Sequence, residues 1–258
     1  MNLKEKLRIG ELTIGSWITL AHPAIAEIMA RAGFDWLVVD LEHSVITIRE
    51  AEELIRVIDL CGVVPLVRLS ANDPVQIKRV MDAGAHGVIV PMVNTKDDAI
   101  KAVSAVRYPP IGTRGVGLAR AQKYGTGFDD YKKWLEEESV IIVQIEHIDG
   151  VENFESILKV ECVDGFIVGP YDLSGSLGIP GQFDHPKYRQ VIKRLEKQAR
   201  DMNFMAGYHI VLPEPDQVLE KAAQGYKFIA YSTDFLFLGE KCRRDLSKIR
   251  QSINFRNK

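Results

Sequence analysis

At 258 residues, with 46% apolar and 26% charged residues, the chain has the size and composition of one large globular domain. A formal charge of −2 provides no global surface for polyanions, which argues against a nucleic-acid partner. No apolar run approaches the ~20 residues that span a bilayer, and the opening MNLKEKLRIGELTIG lacks the apolar core of a signal peptide, so no membrane partner and a cytoplasmic location are expected.

The first predicted element is a strand, TIGSWITL at 13–20. A helix over 22–33 follows, with apolar residues at helical spacing and a stop at Gly33. WLVVDLEH (36–43) is the second strand; the helix after it, 47–62, opens on a Thr47/Glu50 capping box and closes at Gly62. VPLVRLS (64–70) leads to a helix over 73–84 with Pro74 in its first turn, where a missing N–H is harmless. GVIVPMV (87–93) precedes a helix that starts at Thr95 and ends before Pro109. A Gly-rich stretch over 107–131 then breaks the rhythm, and loops this long in a compact domain often carry function. VIIVQIEH (140–147) and GFIVGPYD (165–172) are strands five and six, with helical VENFESILKVECV between them. Helix 185–202, strand FMAGYHI (204–210), helix 215–226 and strand FIAYSTD (228–234) complete the alternation. The tail, 235–258, reads as a helical extension whose apolar face suits the barrel bottom or another subunit.

Most of these strands are continuous apolar runs, the pattern of parallel strands covered on both faces. Eight strands alternating with helices predict an α/β fold, a single (β/α)8 barrel domain over 1–258. An open doubly wound sheet is the competing arrangement, but no Gly-rich dinucleotide fingerprint follows the first strand. Cys61, Cys162 and Cys242 are far apart and odd in number, which fits a reducing compartment and neither a disulfide framework nor a thiolate zinc site.

Polar residues collect at the predicted C-terminal strand ends, where barrel enzymes keep their chemistry. Trp17 lies on strand one, His43 ends strand two and Arg68 ends strand three; Gln144 and Glu146 end strand five, and Asp172 ends strand six. Gln144 and Glu146 are two apart, so an extended backbone sends both to one side. Either carboxylate alone fits a helix cap or an ion pair. Together on one rim, Glu146 and Asp172 fit a hard divalent cation equally well. His43 alone reads as a hydrogen-bonded structural histidine, Arg68 as an ion-pair partner of Glu42, and Trp17 as core or pocket wall.

Several blocks resemble the HpcH/HpaI aldolase family in sequence and in order: GSW (15–17), GFDWLVVDLEHS (33–44), VRLS (67–70), MDAGAHGVIVPMV (81–93), RYPPIGTRGVG (107–117), QIEH (144–147) and GPYDLSGSLG (169–178). The resemblance implies a class II, metal-dependent pyruvate aldolase on a (β/α)8 barrel. In that reading Glu146 and Asp172 ligate Mg²⁺ or Mn²⁺, with Co²⁺ as a further candidate. Arg68 contacts the keto oxygen, and His43, oriented by Asp40, takes part in proton transfer through a metal-bound water. Gln144 lies beside the substrate, backbone N–H groups near Tyr171 and Asp172 hold the pyruvate carboxylate, and Trp17 lines the aldehyde side. Asp82 reaches into a neighbouring subunit's site, in a homohexamer (a trimer of dimers) that exchanges C-terminal helices. Strand ends that present no lysine agree with a metal route rather than a Schiff base.

Two features depart from the family pattern and bear on substrate. Tyr171 stands where many members have a small residue, and GYHIVLP (207–213) puts Tyr208 and His209 in a commonly apolar strand. The expected substrate is a 4-hydroxy-2-oxo acid of the heptanedioate or 2-keto-3-deoxy sugar acid type. The competing readings are a 2-oxo acid decarboxylase or citrate-lyase-like acyl-CoA lyase on the same site, and a non-catalytic carboxylate-binding barrel.

Overall fold

The computed structural model describes the backbone of residues 1–256 and the side chains of residues 1–253; residues 257 and 258 of the predicted tail helix lie outside the described residues. Eight strands form it: β1 (Thr13–Ile18), β2 (Trp36–Asp40), β3 (Val64–Arg68), β4 (Gly87–Val90), β5 (Val140–Ile145), β6 (Gly165–Val168), β7 (Ala206–Ile210) and β8 (Phe228–Thr233). Each pairs in parallel with the next, and β8 closes on β1. The fold is the (β/α)8 barrel that the alternation predicts.

The barrel interior is packed by pairing large residues with glycines across neighbouring strands. Trp36 stands opposite Gly15, and Phe228 opposite Gly207. The two rings stack at 4.1 Å between centroids. A Cβ on Gly15 would sit 2.0 Å from the Trp36 ring, and one on Gly207 would sit 2.4 Å from the Phe166 carbonyl oxygen. Together with Val38, Leu66, Ile89 and Ile142 these rings form an apolar plug through the barrel. Two residues beyond Val38, Leu66 and Ile142 stand Asp40, Arg68 and Gln144, so the plug becomes the floor of a polar site.

The helices are α1 (Leu3–Ile9), α2 (Pro23–Ala30), α3 (Ile48–Leu60), α4 (Pro74–Asp82), α5 (Lys96–Val106), α6 (Phe128–Glu137), α7 (Ile148–Glu152), α8 (Phe154–Leu158), α9 (Pro170–Ser176), α10 (Pro186–Asp201), α11 (Pro215–Ala223) and α12 (Asp234–Arg256). The Thr47/Glu50 capping box forms as predicted. The Gly-rich stretch is not a loose connection. Its Arg114 is buried and donates to Asp82 Oδ1 (2.6 Å) and Tyr131 Oη (2.9 Å), while Gln122 donates to Tyr108 Oη (2.9 Å). Helix α6 begins inside its predicted span. Among the described residues, no helix is long and apolar enough to cross a membrane.

Every strand is shorter than its predicted span. β2, β3 and β4 stop at Asp40, Arg68 and Val90, and β6 stops at Val168. Asp172 therefore does not end a strand; it sits in the first turn of α9, whose Pro170 opens the helix. Glu146 lies one residue beyond β5.

Candidate active site

At the C-terminal ends of the strands a cavity of about 330 Å³ is lined by Asp40, His43, Arg68, Gln144, Asp172 and His209, among others. A larger hollow, about 510 Å³, opens at the opposite end beside Asp59, His86 and Arg120. There Asp59 is consumed by Arg120 (2.6 Å) and His86 (3.3 Å), so its charged groups satisfy one another. The rim cavity is where charge stays uncompensated.

Asp40 and Arg68 are register partners on β2 and β3. The guanidinium donates to both carboxylate oxygens, Nε to Oδ1 at 2.9 Å and Nη2 to Oδ2 at 2.6 Å, in a buried bidentate pair. Burial pushes the Asp40 carboxyl up, but Arg68, with the backbone N–H groups of Glu42 and His43, more than reverses this and holds it below its ordinary value. Arg68 Nη1 lies 3.3 Å from Glu42 Oε2, which bears out the ion pair expected with Glu42. That contact is ionic, because Glu42 Oε2 has no aligned hydrogen-bond donor. The guanidinium sits over the Trp17 ring, its Cζ 4.2 Å from the ring centroid, a buried cation–π contact.

This geometry corrects two expectations. Asp40 does not orient the His43 ring: its carboxylate is taken by Arg68 and by the backbone N–H groups of Glu42 and His43. The His43 ring is 61% exposed at the cavity mouth, with Nε2 3.8 Å from Glu42 Oε2. Trp17 is not a wall of the cavity. It is buried at 1% exposure and backs Arg68 and His209, which are walls.

Glu146 is 2% exposed. One oxygen accepts the Met92 N–H (2.7 Å) and the other accepts from Gln144 Nε2. Met92 holds this N–H in place with a left-handed backbone, φ +52°. Gly169 leaves room, since a Cβ there would sit 2.8 Å from Glu146 Oε2. Burial, then the charges of Glu42 and Asp172, push the Glu146 carboxyl up to about 7. Burial lifts Glu42 to about 7 as well, with Asp40 and Asp172 adding to it and Arg68 opposing. Asp40, Glu42 and Glu146 thus act on one guanidinium, with Asp172 acting on both glutamates, a gathering of carboxyl groups that a cation would offset. Glu42 was legible only as an arginine partner; its place among the other carboxylates depends on the turn after β2.

Gly169 gives α9 no side-chain cap, so the first-turn N–H groups at Tyr171 and Asp172 are left for a ligand or water. The Tyr171 ring is half-exposed and packs edge-on against Phe183 at 5.0 Å, at the rim rather than across the cavity. Tyr208 turns outward to the helices and meets Tyr188 Oη at 3.1 Å, whereas its neighbour His209 faces inward. Asp82, at the end of α4, lies at the opposite end of the barrel from its own cavity and holds Arg114.

Comparison with known proteins places this geometry in context. The family described as HpcH/HpaI aldolase/citrate lyase matches residues 13–238. A 2-keto-3-deoxy-L-rhamnonate aldolase from Escherichia coli is 35% identical over 253 residues, 97% of this chain and 94% of that protein. The crystal structure of an HpcH/HpaI aldolase/citrate lyase family protein from Burkholderia cenocepacia superposes with a TM-score of 0.90 at 33% identity, covering 96% and 98% of the two chains. An HpcH/HpaI aldolase from Desulfitobacterium hafniense superposes at 0.88 with 32% identity, covering 97% of each.

Proposed function

The chain belongs to the HpcH/HpaI aldolase/citrate lyase family and is a carbon–carbon lyase of aldolase type, and from that premise we propose that it cleaves a 4-hydroxy-2-oxo acid to pyruvate and an aldehyde with a divalent cation at Glu146 and Asp172. The observation that carries this reading is the gathering of carboxyl groups beside Arg68 at one end of the barrel. Among the described residues no three His, Cys, Asp or Glu side chains form a metal cage. Two protein carboxylates with the rest of the shell from substrate and water is a donor set that suits Mg²⁺ or Mn²⁺. When bound, such an ion supplies Lewis acidity at the substrate's C2 carbonyl.

The chain's own residues do the remaining work. Arg68, immobilised by Asp40 and Trp17, presents a fixed positive charge to the keto oxygen, where enolate charge develops. It needs no reorganisation to do so, because both its hydrogen bonds and its ring contact are already made. Gln144 orients the Glu146 carboxylate. His43, exposed at the mouth, takes the proton from the C4 hydroxyl as the C3–C4 bond breaks and returns it to C3 of the enolate to give pyruvate, a role that suits an imidazole. The first-turn N–H groups of α9 receive the pyruvate carboxylate. Asp82 and the exposed face of α12 serve a neighbouring subunit in a homohexamer.

Metal-stripped protein resupplied with Mg²⁺ or Mn²⁺ is expected to release pyruvate from 4-hydroxy-2-oxoheptanedioate or a 2-keto-3-deoxy sugar acid, followed by coupling to lactate dehydrogenase. No pyruvate from a folded, metal-loaded sample across a broad substrate panel would overturn the proposal.

A further inference from the structure

The hollow at the barrel end away from the rim takes no part in the chemistry above. At about 510 Å³ it has the size of a small-molecule site. Its walls come from the end of α3, the turn between α4 and β4, the Gly-rich stretch and α6.

Two consecutive residues of the wall, Lys123 and Tyr124, hold left-handed backbones, with φ of +50° and +54°. Such backbones are uncommon outside glycine and gather where ligands bind. The two side chains do little for the fold. Tyr124 is 70% exposed, and the Lys123 ammonium lies 3.8 Å from Asp130 in a solvated pair that contributes little. Glycines bring the cationic side chains of the hollow directly onto the backbone. A Cβ on Gly84 would sit 2.2 Å from Arg120 Nη1, and one on Gly127 would sit 2.7 Å from Lys123 Cδ.

The acceptors of the hollow are used and some of its donors are not. Asp59 meets Arg120 Nη2 (2.6 Å) with one oxygen and His86 Nε2 (3.3 Å) with the other. His86 and Arg120 together hold the Asp59 carboxyl below its ordinary value, so it stays an acceptor already taken. Arg120 Nη1 donates to the Ala83 carbonyl (3.3 Å), which leaves its Nε and the Lys123 ammonium without a hydrogen-bond acceptor among the described residues. The same hollow is aromatic. Trp134 stacks on the buried Tyr131 at 5.5 Å and meets His86 edge-on at 5.0 Å, and Tyr124 adds a ring that packs on nothing among the described residues. Free donors on cations suit a phosphate or carboxylate, and exposed rings suit a flat ring.

We propose that this hollow is a second ligand site, for a planar aromatic ring that carries an anionic group. The ring stacks on Tyr124 and Trp134, and the anionic group is held by Lys123 and Arg120. The site is separate from the rim cavity and independent of the aldolase reading.

The test is calorimetry on the full chain freed of metal, so that no anion binds through a cation at the rim. The probes are adenosine monophosphate and indole-3-acetate, with adenosine, indole and inorganic phosphate as their halves. At least one of the two acids is expected to bind once per chain, at least tenfold more tightly than its ring or phosphate alone. Which of the two binds tells a nucleotide from an aromatic carboxylic acid. Tyr124→Asn and Lys123→Asn are each expected to weaken that binding at least tenfold. Both side chains are exposed, and asparagine accepts the left-handed backbone, so the fold is kept. No heat from either acid at millimolar concentration, a half that binds as tightly as the whole, or unchanged affinity in either variant overturns the proposal. A lower mass for Tyr124→Asn by light scattering would make the hollow a contact between copies and would overturn it too.

Discussion

Arg68 is the residue on which the site is organised, and Asp40 is what holds it. Replacing one partner of a buried, hydrogen-bonded ion pair leaves the other charge uncompensated, at a cost of about 3–5 kcal/mol. Asp40→Asn is therefore expected to lose about 3 kcal/mol or more of stability at pH 7, measured by urea unfolding. The Asp40 carboxyl is held below its ordinary value of 3.8 in the folded state. Its contribution is present above that unfolded-state value and is lost as pH falls through the lower folded one. Wild type and Asp40→Asn should thus differ fully above that unfolded-state value and draw together as acid takes the pH below it. A variant with wild-type stability at pH 7 but no activity would instead return Asp40 to the role of orienting His43.

At the scale of elements, the interior glycines decide whether the barrel closes around its rings. Gly207→Ala would press a methyl group against the Phe166 carbonyl oxygen and the Phe228 ring. A loss of about 1–3 kcal/mol, the usual range for overpacking, is expected as a lowered thermal midpoint; an unchanged midpoint would show that β7 can shift outward. The eight strands were legible because parallel strands carry near-continuous apolar runs, from WLVVD to GFIV. Their C-terminal limits were not. Apolar character continues past Val90 and Val168 into the rim turns, while the ladder ends where the backbone turns to position Met92 and Asp172. Pro170 marks the start of α9 and was the available sign that Asp172 belongs to a helix. Helix α6 was hidden in the Gly-rich stretch, although Asp129 and Asp130 stand in its first turn, where acidic residues favour a helix N-terminus. The residues of the site were readable as strand-end polar groups. Their partners were not, because the Asp40–Arg68 clamp spans 28 positions and exists only through the β2–β3 register.

At the scale of the whole molecule, the chain presents its chemistry at one barrel end and a half-exposed apolar face on α12. Leu246, Ile249 and Ile253 recur at helical spacing and are each about half-exposed. That face is expected to be covered in a homohexamer, so light scattering should return about six times the 29.0 kDa of one chain. A monomer at micromolar concentration would contradict it. We propose that Glu146 and Asp172, with Glu42 beside them, hold a cation that works with Arg68. The most direct measurement is Mn²⁺ binding to metal-free protein, read by electron paramagnetic resonance, for wild type and Glu146→Gln. Wild type should take up one Mn²⁺ per chain, with a spectrum that changes when pyruvate is added, and Glu146→Gln should bind at least about a hundredfold more weakly, the ~3 kcal/mol of a lost charge-assisted contact. Equal Mn²⁺ affinity in the two proteins, or a spectrum indifferent to pyruvate, would contradict the account.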